Sequence, residues 1–390
     1  MQPAPSPVAD PDAVAADLRR EALRLGFSRV GITTVVEPPH HESFRGWLAQ
    51  GLAGATEEWL ERHEPLRRTA AALLDGVASV VMLATDHATL PDPAHAAPGQ
   101  GRVARYAWGD DYHDLLRARV NALAAWLEGR VPGCRTRGVV DSAPLAERDF
   151  AWAAGLGWFG KNTMLISPTA GSYFFLTGFL TDLPLPADEP LRTDHCGTCT
   201  ACLDACPTSA FPEPGVLDAS RCISSLTVES REPVPLELRA GMGDWLFGCD
   251  VCQEVCPWNR HAPGSGEPAL QPRIGQATLP LGEILALDES GFRRRFRGSA
   301  IRRAKRSGLL RSAAIALGNR PDPASLPALA AAAHDGDPVI REAARWALAR
   351  WIDAGVMADE CRRAIAGQAS PHDVTSSTSA AGSRPGPSVA

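Results

Sequence analysis

Cys196-Gly-Thr-Cys199-Thr-Ala-Cys202-Leu-Asp-Ala-Cys206-Pro207 places four cysteines in one short run and closes it on a proline. Three thiols at steps of three can wrap three corners of one 4Fe–4S cube, each thiolate binding one iron. The fourth, carried past the turn by Pro207, points to a neighbouring cluster. A second set, Cys249-Asp-Val-Cys252-Gln-Glu-Val-Cys256-Pro257, repeats that ending, and Cys222 supplies its missing member from across an insertion. Ferredoxin logic gives one cluster Cys196, Cys199, Cys202 and Cys256, and the other Cys206, Cys222, Cys249 and Cys252. Structural zinc is the bland alternative. Zinc sites, however, pair two Cys-x2-Cys knuckles across a longer loop and do not use this run twice. Clusters with crossed ligands must lie close together, so they form a relay for single electrons.

Outside this segment only Cys134 and Cys361 remain, and they read as ordinary thiols. A disulfide framework suits a small secreted domain. This chain has 390 residues, enough for two or three domains at about 150 each. Apolar residues make up 45% and charged ones 22%, which excludes a wholly disordered chain. With 39 Lys and Arg against 45 Asp and Glu, the formal charge of −6 excludes a uniformly basic nucleic-acid binder, though not a local basic patch. Residues 1–10 are Pro/Ala-rich, without a basic segment or apolar core, and predict no secretory signal. The longest uncharged run, Asn162–Thr181, contains Pro168, Gly171 and Gly178 and predicts two buried strands around a turn, not a membrane span. A soluble, cytoplasmic, monomeric protein is expected.

Apolar spacing predicts a helix over Asp12–Leu25 with Gly26 as its stop, strands at Ser28–Thr34 and Ala78–Ala84, and a helix over Asp111–Glu128. Val139 and Val140 end a further strand, and a helix follows around Leu145–Ala154. The expected fold is a multi-domain α+β chain. It comprises a disordered tail (1–10), an α/β catalytic domain (11–189), a ferredoxin-like two-cluster domain (190–262), a helical HEAT-like region (263–366) and a second disordered tail (367–390). The repeat is read from Arg311-Ser-Ala-Ala-Ile-Ala-Leu-Gly, echoed by Arg341-Glu-Ala-Ala-Arg-Trp-Ala-Leu, with a helix at Pro323–Ala333 between.

An electron carrier has no need of so large a first domain, so something there should receive the electrons. The most informative stretch is Val140-Asp141-Ser-Ala-Pro-Leu-Ala-Glu147-Arg148, running on to Gly155-Leu-Gly-Trp-Phe-Gly-Lys161-Asn162-Thr163. Asp141 sits where a strand gives way to a helix, a position suited to an active-site residue and equally to a helix N-cap. Gly155-x-Gly157-x-x-Gly160 follows a helix rather than a strand, which rejects a dinucleotide fingerprint.

These segments resemble the epoxyqueuosine reductase family. So do Trp108-Gly-Asp-Asp-Tyr-His113, Arg221-Cys-Ile-Ser-Ser-Leu-Thr227 and Gly248-Cys-Asp-Val-Cys-Gln-Glu-Val-Cys-Pro-Trp-Asn259. The resemblance spans about residues 12–352. It implies deoxygenation of epoxyqueuosine to queuosine at the anticodon wobble position of tRNA, with cobalamin beside one of the two 4Fe–4S clusters and an external low-potential electron donor. It places the proton donor on Asp141, and cobalamin contacts on Arg67, Ala104, Asp141, Asn162, Ser224 and Asp250. The family's Arg-x-x-Pro stands here as Arg67-Arg68-Thr69-Ala70, so a register shift could substitute Arg68. A buried Asp141 with a raised pKa would serve as the acid. His113, in a near-match to a cobalamin-ligand signature that lacks its glycine, reads as a helix-face residue and not as a cobalt ligand.

Arg293, Arg294, Arg295, Arg297, Arg302, Arg303, Lys305, Arg306 and Arg311 run without an intervening acid. Such a block at the entry to a helical region suits contact with an RNA backbone, where a merely solvated face would mix signs. A cobalamin-dependent reductive dehalogenase is the competing enzyme, though no twin-Arg export signal is seen. A ferredoxin-like carrier is the non-enzymatic competitor, and it leaves Asp141 without a purpose.

Overall fold

The computed structural model describes residues 10–88, 96–273 and 275–367. Except for Asp10 and Gly367, the two expected tails lie outside these residues. The first helix, Pro11–Arg24, begins where Asp10 accepts the Asp12 N–H and stops before Gly26, whose φ of +90° ends it. Its Val14, Leu18 and Ala22 are buried, as their spacing requires.

The strands Arg29–Thr33, Ser79–Asp86, Phe174–Thr181 and Thr136–Val139 form one sheet in that spatial order. Every neighbouring pair is antiparallel. The α/β reading of this part therefore has its alternation of elements but not the parallel pairing such alternation usually brings. Apolar periodicity reports element type and face; strand direction is fixed by how each connection crosses the sheet. Helices cover both faces. Ile32, Val81, Leu83 and Phe179 pack with Leu18, Leu116, Val120, Leu123 and Leu127 of the helices Pro11–Arg24 and Tyr112–Arg130. Val80, Met82, Ala84 and Leu180 pack with Phe150 and Ala151 of the helix Glu147–Ala153. At about 1.5–3 kcal/mol per buried large side chain, these two layers hold the sheet's rim, and with it Asp141, in place.

A second sheet joins Trp245–Phe247, Gln100–Val103 and Thr278–Pro280, one strand from each segment that the sequence divides into domains. Their buried residues belong to one core with Ile223, Leu226 and the C-terminal helices. Within that core, Lys305–Asn319 is buried almost all round and packs on Pro338–Asp353, where the Trp351 indole donates to Leu317 O at 2.7 Å. Among the described residues no helix is long and apolar enough to cross a membrane. Asn162–Thr181 instead supplies the strands Leu165–Ile166 and Phe174–Thr181 on either side of a turn.

Candidate active site

Asp141 lies just past the strand Thr136–Val139, with φ 42°. A left-handed backbone costs a non-glycine residue about 1–3 kcal/mol and persists only where neighbours over-determine it. Here three hydrogen bonds do so. The Asp141 N–H donates to Glu147 Oε1 at 2.8 Å, and Oδ2 accepts from Tyr112 Oη and His113 Nε2, both at 2.8 Å. The following helix, Glu147–Ala153, has Ala146 at its N-cap and no side-chain cap, so Asp141 is not a capping residue.

Tyr112 and His113 occupy the first turn of the helix Tyr112–Arg130, which Asp111 caps. Asp111 Oδ1 also meets His113 Nδ1 at 2.7 Å, so the imidazole is gripped between two carboxylates. The Tyr112 ring is stacked between His113 and Phe175, with centroids 4.1 Å apart on each side. His113 is thus no mere helix-face residue. Both its nitrogens are committed to acids, one of them Asp141.

Protein surrounds Asp141 on most sides, yet 53% of its side chain is accessible, so it forms the floor of an open recess. Burial pushes its carboxyl up, but donation from His113 and Tyr112 outweighs burial and holds it below the ordinary carboxylate value. This corrects the expectation of a raised Asp141. Burial lowers His113, but its bonds to Asp111 and Asp141 prevail and raise it to about 9. Burial, and then the Asp141 charge, push Glu147 up to about 8. At neutral pH the ligand-free recess therefore holds an anionic Asp141, a protonated His113 and a neutral Glu147.

Four groups wall this recess. Tyr106 feels the charges of Glu229, Asp250, Asp141 and Arg303, after burial has raised its phenol. Arg303 binds both oxygens of Glu229 at 2.9–3.2 Å, and its charge reaches Asp141 and Tyr112. Arg148 donates to Thr163 O at 2.9 Å and lies within the fields of Glu147, Asp141 and Cys252. Arg67, ending the helix Glu57–Arg67, lies near Glu147, Arg148 and Asp149, and its buried Nε has no hydrogen-bond partner among the described residues. Arg68 is exposed, so Arg67 is the arginine that faces this site.

The remaining sequence candidates lie beside the cysteine-bearing segments. Asn162 is buried, and its Nδ2 lies 3.4 Å from Cys252 O. Asp250 is buried and accepts the Arg105 N–H at 2.7 Å. Ala104 packs against Gly248, where an added Cβ would stand 2.5 Å from the Ala104 Cβ at φ +68°. That turn accepts only glycine, and it sets Cys249 and Asp250 beside the Ala104–Arg105 backbone. Ser224 is half-buried in the helix Ile223–Val228, which Cys222 precedes.

The thiols fall into two neighbourhoods. Cys256 interacts with Cys196 and Cys199, and Cys202 with Cys196 and Cys256. Cys222 interacts with Cys206, Cys249 with Cys252 and Cys222, and Cys252 with Cys222 and Cys206. Cys252 also feels Cys202, so the two sets adjoin. Among the described residues no three His, Cys, Asp or Glu converge on a single-ion site; a four-iron cube holds its thiolates farther apart than one zinc ion does.

The basic block divides. Arg293 and Arg295 pair with Glu289 and Glu283 at 2.9 and 3.0 Å, and Arg294 donates to Ser290 Oγ. Arg306 is clamped by Leu287 O and Asp335, and Arg311 is wholly buried on the carbonyls of Leu226, Ser230 and Glu232. These two are internal braces, which an unbroken run of positive charge could not disclose. Arg297, Arg302, Arg303 and Lys305 are exposed, and the charge of Arg303 reaches Asp141.

Two adjoining sets of four thiols, one reaching an acid-floored recess, define an iron–sulfur oxidoreductase. Residues 195–259 match the family model of a 4Fe-4S double cluster binding domain, and residues 67–142 match "Epoxyqueuosine reductase QueG, DUF1730". An epoxyqueuosine reductase of Pseudomonas aeruginosa is 42% identical over 349 residues, covering 87% of this chain and 95% of that one. The crystal structure of an epoxyqueuosine reductase with an epoxyqueuosine-modified tRNA stem loop is 30% identical, with a TM-score of 0.82, over 91% of this chain and 98% of that one. A Bacillus subtilis epoxyqueuosine reductase whose catalytic aspartate loop is swung out of the active site is 30% identical, with a TM-score of 0.81, over 92% and 99% of the two chains. The chain belongs to the epoxyqueuosine reductase family, which sets aside the dehalogenase and carrier readings.

Proposed function

We propose that the recess over Asp141 is where epoxyqueuosine, in the anticodon wobble position of a tRNA, loses its epoxide oxygen. The observation that carries this reading is the strained Asp141, hydrogen-bonded to Tyr112 and His113 at the floor of a recess that Arg148 links to Cys252. Opening an epoxide to an alkene consumes two electrons and two protons and releases water. The electrons come singly from an external low-potential donor through the cluster of Cys196, Cys199, Cys202 and Cys256 to that of Cys206, Cys222, Cys249 and Cys252.

Cobalamin fits the recess: Arg67 offers a buried, unpartnered Nε, and Asn162, Ser224, Asp250 and the Ala104 backbone gather on the side of the inner cluster. With Asp141 these residues would hold it, and it would supply a strongly reducing nucleophile. The chain's own residues manage the protons. His113 stores one, and Asp141 accepts its hydrogen bond at 2.8 Å. Covering the recess strips water from Asp141, which raises its pKa and lets the pair hand the proton to the departing oxygen. The loop carrying Asp141 swings as in the Bacillus subtilis relative.

Arg297, Arg302, Arg303 and Lys305 would meet the RNA backbone, with Arg293, Arg294 and Arg295 as lesser contributors. The packing of Lys305–Asn319 on Pro338–Asp353, and of Leu326–Ala332 on Ala358–Ala366, supports a short HEAT-like repeat as the platform for tRNA. A division of labour follows: catalysis in 11–189, electron relay in 190–262 and RNA binding in 263–366. The protein would act as a cytoplasmic monomer.

Asp141→Asn tests the reading. It should keep both clusters, cobalamin and tRNA affinity while losing about 10²–10⁴-fold in turnover. Near-normal reduction of epoxyqueuosine-containing tRNA would remove Asp141 from the chemistry.

A further inference from the structure

Glu147 opens the helix that follows the Asp141 loop, and the proton transfer above makes no use of it. Its Oε1 accepts the Asp141 N–H at 2.8 Å. The residues between them, Ser142 to Ala146, form no helix or strand, and their local bonds, Leu145 N–H to Ala143 O and Ser142 Oγ to Val140 O, stay within the loop. The other two holds on Asp141, from Tyr112 and His113, end on the carboxylate that must meet substrate. A substrate oxygen competing for that carboxylate would loosen them. The Glu147 contact ends on the backbone and need not change. Its surroundings suit a fixed post: Arg67 and Arg148 lie close by, and burial keeps the carboxyl neutral, so it stands beside the Asp141 anion without repelling it.

We propose that Glu147 is the positioning residue of the catalytic loop: by accepting the Asp141 N–H it holds the left-handed turn that aims Asp141 Oδ2 at Tyr112, His113 and the substrate oxygen. The proposal rests on the proton-transfer role of Asp141. It assigns Glu147 no proton to give; what matters is an oxygen at that point. Glutamine supplies the same oxygen, alanine removes it, and aspartate, one methylene shorter, withdraws it while keeping a carboxyl group.

The test uses the full chain holding both clusters, with hydrogen–deuterium exchange of the peptide spanning residues 139–146. It is paired with kcat and KM on an epoxyqueuosine-modified tRNA stem loop. Glu147→Ala should exchange about tenfold faster in that peptide, the factor one hydrogen bond is worth. It should lose kcat by at least that factor, with KM unchanged. Glu147→Asp should behave in the same way, and it decides the matter should the alanine variant fail to hold its clusters. Glu147→Gln should restore both protection and kcat. Wild-type exchange in the alanine and aspartate variants would overturn the proposal, as would a glutamine variant as poor as alanine. Asp141→Asn, run alongside, separates the two readings: normal turnover there would end the proton-transfer role, while the exchange rates would still judge the latch.

Discussion

The two sets of four thiols differ in spacing and in surroundings. Around Cys196, Cys199, Cys202 and Cys256, Cys199 is exposed, and a cage of Trp158, Trp258 and the exposed His195 stands over Cys196 and Cys256, with ring centroids 4.8 and 4.9 Å apart. Lys161 ties that loop down by donating to Gly197 O and Cys199 O. In the other set Cys206, Cys222, Cys249 and Cys252 are all half-buried, and burial raises Cys222, Cys249 and Cys252 as it raises Cys202 and Cys256 of the first; what sets it apart is Arg148, which feels the charges of both Cys252 and Asp141. We propose that the set with the exposed Cys199 is the outer cluster, open to a donor, and the set near Arg148 the inner one, facing the chemistry.

The sharpest break of this asymmetry is a pair of ligand substitutions. Cys252→Ala should reduce turnover to background with any reductant, because the cluster beside the recess is lost. Cys199→Ala should abolish turnover with a protein donor yet leave some with a small chemical reductant that reaches the recess directly. Equal loss under both reductants would erase the distinction between outer and inner.

A smaller effect comes from pH. His113 is raised from its ordinary value to about 9, so its proton is present below that pH and leaves as pH climbs through it. Turnover should fall about tenfold per unit above pH 9, and the ion pairs around His113 should lose their stabilising contribution over the interval between its unfolded value and about 9. A kcat profile flat to pH 10 would show that the recess proton is stored elsewhere. Smallest is the effect of charge at the recess rim. Replacing Arg302 and Lys305, exposed and with no acid partner among the described residues, by glutamine should flatten the log–log salt dependence of tRNA binding by about 0.7–0.9 per lost phosphate contact. Replacing Arg293 and Arg295, already paired with acids, should change it less. The reverse order would move the RNA track away from Asp141.

The cysteine relay was legible because ligand spacing is local: Cys196 to Cys206 lies within one short run, and Cys249 to Cys256 within another. The helices were legible for the same reason, since Leu116, Val120, Leu123 and Leu127 mark one face. Antiparallel pairing was not, because direction depends on connections that span the sheet. The His113–Asp141 contact was missed because the two residues are joined only in space. His113 reads as one more residue on a helical turn until Asp111 and Asp141 close on its two nitrogens. The sign of the Asp141 shift failed with it: burial alone argues upward, and only the donors reverse it. Arg306 and Arg311 looked like surface charge because sequence does not show which carbonyls wait beneath.

The central claim is that Cys256 belongs with Cys196, Cys199 and Cys202, and that the inner cluster is built without it. Iron analysis of anaerobically reconstituted double variants tests it directly. The wild-type chain should hold about eight irons, as two four-iron clusters require. Cys199→Ala combined with Cys256→Ala should still hold about half of them, because both changes strike the same cluster, whereas Cys252→Ala combined with Cys256→Ala should hold almost none. The opposite pattern, with half the iron kept when Cys252 and Cys256 are lost together and none when Cys199 and Cys256 are, would contradict the crossed relay.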